Sequence, residues 1–527
     1  MTGNESVEFH FDLWSEPWIG VEIARGQIEK VGIGQALQQA HEYRGLFDSS
    51  PLVVVGIHRL LTAILQDIFS PQTFKELLGL LSLKQLPGEK VAFFHIQYGD
   101  RFDLFSPDRP FYQSVDVPPV QEKGANIKSI ANLMPDTPSG TESTHYHHGS
   151  QAAQIFCPSC VAAGLVSLPA FSSSGGAGIK PSINGVPPIY VIPCGKNLLE
   201  SLMLSLVLPD FQPANRAIGE DLAWWKREPV IPRSSVVNSV GYLHSLTFQP
   251  RRVRLYPEKV NSSCTRCGAP ISWGVREMIF DMGESRPKDA APWFDPFAAY
   301  KKSDPKPPIP IRPIEGKATW REYGSLFLKY QQAEDVNGRG NKIDLTIRPS
   351  FLDQLSELLD EDSEPVSLRC IGMRTDMKAK IFEWVDSGFQ VPGKLLRDQD
   401  AGYWITKGLG FSRTCAATIG GVFKTSFGGY SKTNDRYRQL KSEMFSDYWH
   451  NLALPFREWV LQTSETNDWQ ADYADWMDRV TAIALTAFSN AASAVGDEGD
   501  QLSKRFKGEK LCQIYLAANR RKELPNE

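Results

Sequence analysis

Four of the chain's cysteines stand in two Cys-x-x-Cys pairs, Cys157-Pro-Ser-Cys160 and Cys264-Thr-Arg-Cys267. Each pair lies beside Pro or Gly, so each can turn tightly enough to aim two sulfurs at one point. Four thiolates from two turns are the donor set of a closed tetrahedral zinc site, which leaves no open position for chemistry. The pattern therefore predicts a structural zinc that ties two distant segments together. Two other readings stay open: packed metal-free thiols, and a redox dithiol, although neither pair reads as the end of an apolar strand that opens a helix. The remaining cysteines, Cys194, Cys370, Cys415 and Cys512, sit among apolar neighbours, as reduced buried thiols do. The start, Met1-Thr-Gly-Asn-Glu-Ser, lacks the basic and apolar regions of a secretory leader. Disulfides are not expected, and a cytoplasmic location is.

Two further stretches could do chemistry. His145-Tyr146-His147-His148 is the densest histidine cluster and would suit a metal-dependent nuclease or hydrolase, but nearby Asp136 and Glu142 do not complete a recognisable shell. Its alternative is a loop whose rings stack on a partner. The run Ser172-Ser-Ser-Gly-Gly-Ala-Gly178 lets backbone approach another surface with almost no gap. That surface is either a neighbouring strand or the narrow groove of a duplex, where small residues reach base edges. Lys180, just beyond, is placed to meet a phosphate. The Gly-x-x-x-x-Gly-Lys-Ser/Thr phosphate loop and the Gly-x-Ser-x-Gly elbow are both missing.

The elements that must position these groups fall into two regions. Phe9–Trp14 and Trp18–Ile23 read as short strands around Glu16-Pro17, and residues 51–83 carry helical spacing. Residues 115–195 are loop-rich, and 247–313 read as strand and loop. After Val391-Pro-Gly-Lys394 four helical segments are expected at 400–427, 434–462, 468–495 and 499–523, with Trp476, Val480, Ile483 and Ala487 on one face. The fold class predicted is α+β: a large mixed α/β domain over 1–392 with long loops, then a four-helix bundle over 393–527.

Composition narrows the partners only locally. With 42% hydrophobic and 22% charged residues the chain reads as an ordinary globular protein, and no apolar run reads as a membrane span. A net charge of −4 gives no global sign of nucleic-acid binding. Basic residues nonetheless cluster at Arg251, Arg252, Arg254 and Lys259, and again from Lys504 to Lys522.

The chain resembles the large-subunit (CasA) family of the type I-E Cascade complex, an RNA-guided antiviral CRISPR assembly. The likeness is carried by Phe11-Asp-Leu-Trp-Ser-Glu-Pro-Trp-Ile-Gly-Val21, Arg109-Pro-Phe-Tyr-Gln113, both cysteine pairs, the glycine loop with Ile179-Lys180, Gly185-Val-Pro-Pro188, Trp320, Gly372-Met-Arg374 and the terminal bundle. It implies a non-catalytic subunit that reads the protospacer-adjacent motif (PAM) in double-stranded DNA and helps open the duplex. It further implies contact with the crRNA 5′ handle and other Cascade subunits, and recruitment of a helicase-nuclease, with no membrane role. Base pairing then reads the rest of the sequence.

Residue by residue, the family's minor-groove loop falls on Ser174, Gly175, Gly176, Ala177 and Gly178, with alanine at one glycine position. The strand-separating wedge, commonly Asn-Gln, falls on Asp376 and Met377, next to Arg374 and Lys378. Methionine would insert apolar bulk between base steps. A second minor-groove contact falls on Arg286 or Lys288, and a basic DNA-facing pair on Lys301 and Lys302. Tyr146 falls on an aromatic position suited to stacking on an RNA base.

Overall fold

The structure is a computed structural model. It describes residues 9–523 except 25, 122–124, 135–153, 174–178, 214–220, 229–235, 239, 288, 291–292, 304–305, 330–333, 336–342, 360–362, 376–380, 429–434, 467 and 497–498. Helices and small antiparallel sheets alternate through the first 390 residues, and long helices follow, an α+β architecture. Two compact units emerge. The first comprises 1–313, 346–358 and 366–390; the second comprises 314–345, 359–365 and 391–527.

The core of the first unit is the helix Pro51–Phe69, in which every residue from Pro51 to Gln66 is buried. Pro51 opens it, where a missing N–H costs nothing. By length and apolarity this helix would suffice to cross a membrane, contrary to the reading that no run is long enough. It is instead clothed by protein, and its polar groups are satisfied there. His58 Nε2 meets Ser205 Oγ at 2.8 Å, and Gln66 bonds the backbone of Val207. Arg59 pairs with Asp295 at 3.0 Å.

The helix Pro158–Phe171 packs on it so closely that a Cβ at Gly56 would lie 2.6 Å from the Val166 carbonyl oxygen. This second helix lies in the stretch expected to be loop. Small residues and Pro169 within it hide the helical period. The segment Phe9–Trp14 also departs from expectation: Asp12 makes a single bridge to Asp103 and turns follow, while the strand begins at Ile19.

Two sheets matter for the site. Arg251–Leu255 and Ile127–Ser129 flank Glu277–Met282, both antiparallel to it, with Arg251 opposite Met282. Val366–Thr375 pairs with Tyr190–Cys194 on one side and with Ile381–Val391 on the other.

The second unit contains the bundle helices Gln399–Phe427, Asp435–Glu465, Trp469–Ser493 and Gly499–Glu523. Asp398 caps the first by accepting from the N–H groups of Asp400 and Ala401. The Trp459 and Trp476 rings stack at 4.8 Å in the core, and Trp476 Nε1 donates to the Gly408 carbonyl at 3.1 Å.

Candidate nucleic-acid interface and cysteine cluster

The first cysteine pair opens a helix, and immediately before it stands the isolated bridge Phe156–Val275 rather than a strand. Cys157 is the N-cap of Pro158–Phe171, its sulfur accepting from the Cys160 N–H at 3.4 Å. The second pair occupies the turn between strands Glu258–Ser263 and Pro270–Gly274. Gly268 closes that turn at φ +74°, a conformation side chains resist, and donates its N–H to the Cys264 carbonyl at 2.8 Å.

Backbone brings the two pairs together. Thr265 N–H donates to the Ile155 carbonyl at 2.9 Å, and the Cys157 N–H points at Cys264 Sγ at 3.3 Å. All four sulfurs fall within 4.8 Å of one another, with Cys157–Cys267 at 3.8 Å and Cys160–Cys264 at 3.7 Å. An ion bonded to sulfur at about 2.3 Å spans tetrahedral edges of about 3.8 Å, so the four residues fit a metal ion. Hydrogen bonds from Cys157 and Cys160 hold the Cys264 sulfur far toward thiolate. The same contacts, with burial, push Cys160 up.

Arg266, inside the second pair, anchors the turn. Its guanidinium meets Asp48 at 2.5 Å, just ahead of the Pro51–Phe69 helix, and approaches Cys160 Sγ at 3.9 Å. Nothing in the sequence signals this pairing of residues so far apart.

The glycine loop, Ser174 to Gly178, lies outside the described residues, but its two ends are described. The Ser172 carbonyl accepts from the Ser182 N–H at 2.9 Å. Arg251, only 3% exposed, donates to the carbonyls of Ser173 at 2.6 Å and Lys180 at 2.7 Å. Lys180 itself is exposed, and its Nζ lies 3.3 Å from Ser285 Oγ. Beside Ser285 stands Arg286, half-buried. Lys180 and Arg286 are thus brought to one region, whereas Lys288 lies outside the described residues.

Lys301 and Lys302 sit on the strand Tyr300–Ser303, Lys301 exposed and Lys302 half-buried. Arg374 is the penultimate residue of the strand Val366–Thr375 and pairs with Glu383 on the returning strand at 3.3 Å. Asp376, Met377 and Lys378 fall in the connection of this hairpin, outside the described residues, as do Tyr146 and the histidines His145, His147 and His148.

Two residues of the basic cluster at 251–259 do not face solvent. Arg251 and Arg252 are buried, and Arg252 pairs with Asp116 at 2.7 Å. In the last helix, Lys504, Arg505 and Arg520 pair with Asp500, Glu509 and Asp478.

The architecture defines a class of CRISPR-associated proteins. The crystal structure of Thermobifida fusca Cse1 matches with a TM-score of 0.77 at 22% identity, covering 97% of this chain and 98% of that one. A chain of a CRISPR RNA-guided surveillance complex matches with a TM-score of 0.72 at 18% identity, covering 96% and 99%. At such identities the likeness is one of fold. The model of the family described as CRISPR-associated protein Cse1 matches residues 12–487, and the chain belongs to that family. A CasA/Cse1 protein of Thermus thermophilus is 27% identical over 401 residues, 73% of this chain and 72% of that protein.

Proposed function

We propose that this chain is the non-catalytic large subunit of a type I-E CRISPR RNA-guided surveillance complex, and that it recognises the PAM in double-stranded DNA. Membership of the Cse1 family across nearly the whole chain carries the reading. Its site chemistry is consistent with that role. The segment Ser174–Gly178 is small enough to enter a minor groove. Lys180 and Arg286 stand close by to meet phosphate, and Lys301 and Lys302 add charge along the same path of DNA. Phosphate contacts position such a protein, and the loop reads the motif.

The hairpin formed by Val366–Thr375 and Ile381–Val391 carries Asp376, Met377 and Lys378 at its connection. Met377 inserts at the base step beside the PAM and helps part the strands, while Lys378 offsets Asp376. Tyr146 stacks on the crRNA 5′ handle. The subunit also contacts other Cascade subunits and helps recruit the helicase-nuclease, in the cytoplasm. The four cysteines hold a structural zinc, which supplies a rigid four-way link and no reaction.

The test is a gel-shift series on the assembled complex with Gly175→Trp and Gly176→Trp. Binding to a PAM-containing duplex should fall at least about tenfold, since a bulky side chain cannot enter the narrow groove. Binding to a complementary single strand should persist. Unchanged duplex binding by both variants would remove the loop from the role of reader.

A further inference from the structure

We propose that Arg251 is the positioning residue of the 174–178 loop: one buried guanidinium closes the loop's neck and sets the direction in which the loop meets DNA. This inference rests on the DNA-reading role proposed above for that loop.

Arg251 opens the strand Arg251–Leu255 and turns its side chain inward, beneath the residues that enter and leave the loop. Nη2 donates to the Ser173 carbonyl at 2.6 Å, immediately before the loop. Nη1 donates to the Lys180 carbonyl at 2.7 Å, two residues after it, and to its own neighbour Pro250 at 2.7 Å. The guanidinium carbon lies 5.6 Å from the centre of the Phe280 ring, which supports it from the opposite strand. Among the described residues, its acceptors are backbone carbonyls, with no carboxylate.

That arrangement is poor as stabilisation alone. Burial of the cation without a counter-ion pulls its pKa down to about 10, so it stays charged at neutral pH while losing hydration. An apolar residue of similar volume would fill the space without that penalty. What the guanidinium adds is a planar fork, whose two arms fix both the spacing and the mutual angle of the carbonyls they hold.

The surroundings make the neck one piece. The Ser182 hydroxyl donates to the Pro169 carbonyl at 2.5 Å, and the Lys180 N–H meets Met282 Sδ at 3.2 Å. Met282 is the register partner of Arg251, and at Gly283 a Cβ would stand 2.8 Å from the Arg251 nitrogen. The same neck orients Lys180 toward Ser285.

The experiment uses the assembled complex with Arg251→Met, Arg251→Lys and Gly176→Trp. Affinity is measured for the PAM duplex, for the same duplex with the PAM altered, and for the complementary single strand. Arg251→Met should lose roughly tenfold or more on the PAM duplex, with single-strand binding unchanged. Arg251→Lys should recover part of the loss, because an ammonium can meet a carbonyl but lacks the planar fork. Wild-type affinity for the PAM duplex with Arg251→Met, or an equal loss on the single strand, overturns the proposal. Should Arg251→Met not assemble, Arg251→Lys decides by the same two criteria. If Gly176→Trp is lost to PAM binding while the Arg251 variants are not, this proposal fails alone. If Gly176→Trp binds normally, the reading role fails and takes the proposal with it.

Discussion

His58 sits in the middle of the apolar helix Pro51–Phe69, 5% exposed, its Nε2 against Ser205 Oγ. Burial, and then the charge of Arg59, lower its pKa to about 3. The folded imidazole is therefore neutral, whereas the unfolded one takes a proton below about pH 6.5. Its contribution to stability is fully present above that value and falls as the pH drops toward 3, by up to about 1.4 kcal/mol per unit. His58→Gln should remove that slope. Urea unfolding of parent and variant at about pH 7 and about pH 5 checks it, and parallel pH dependences would count against a buried neutral ring. At this scale the sequence is uneven as a guide. The cysteines announce themselves, because ligand spacing is local. Arg251 reads only as part of a basic cluster, because its acceptors are carbonyls, which every residue carries and no sequence distinguishes. The expected roles of Tyr146, Gly175 and Met377 come from resemblance and rest on the binding experiments.

In the bundle, two glycines of the helix Gln399–Phe427 face opposite fates. A Cβ at Gly408 would lie 2.2 Å from Trp459 and 2.9 Å from Trp476, whereas nothing lies within 4 Å of one at Gly410. Gly410→Ala should stabilise by up to about 1 kcal/mol through helix propensity. Gly408→Ala should instead destabilise by about 1–3 kcal/mol through overpacking of the stacked indoles. Chemical denaturation followed by tryptophan fluorescence separates the two, and a stabilising Gly408→Ala would contradict the packing described. These helices are the most legible elements. The segment expected at 499–523 matches Gly499–Glu523, and the one expected at 468–495 ends two residues sooner, at Ser493. Long helices write their period along the chain. The Pro158–Phe171 helix escapes such a reading because it is buried on nearly all sides and shows no polar stripe. The small sheets are poorly legible because their partners, such as Ile371 with Tyr190, lie far apart in sequence.

For the molecule as a whole, the cysteine cluster joins residues 155–160 to 264–268 inside the first unit, while the bundle carries its own tryptophan core in the second. If the cluster holds the proposed zinc, chelation should therefore raise hydrogen exchange in peptides spanning 154–173 and 255–275 and abolish the proposed PAM-duplex binding, with peptides of 400–523 unaffected. Mass spectrometry of exchange reads this directly, and loss of protection in the bundle first would refute it. The greasy helix Pro51–Phe69 has a consequence of a different kind. Arg59, buried in that helix, finds its counter-charge in Asp295, 236 positions later. At about 5–20 residues per second of synthesis, the ribosome reaches Asp295 about 10–50 s after Arg59. Through that interval the nascent chain carries its most apolar long segment with a cation whose partner has not yet been made, so the packing of Pro51–Phe69 can be completed only once the middle of the protein has emerged.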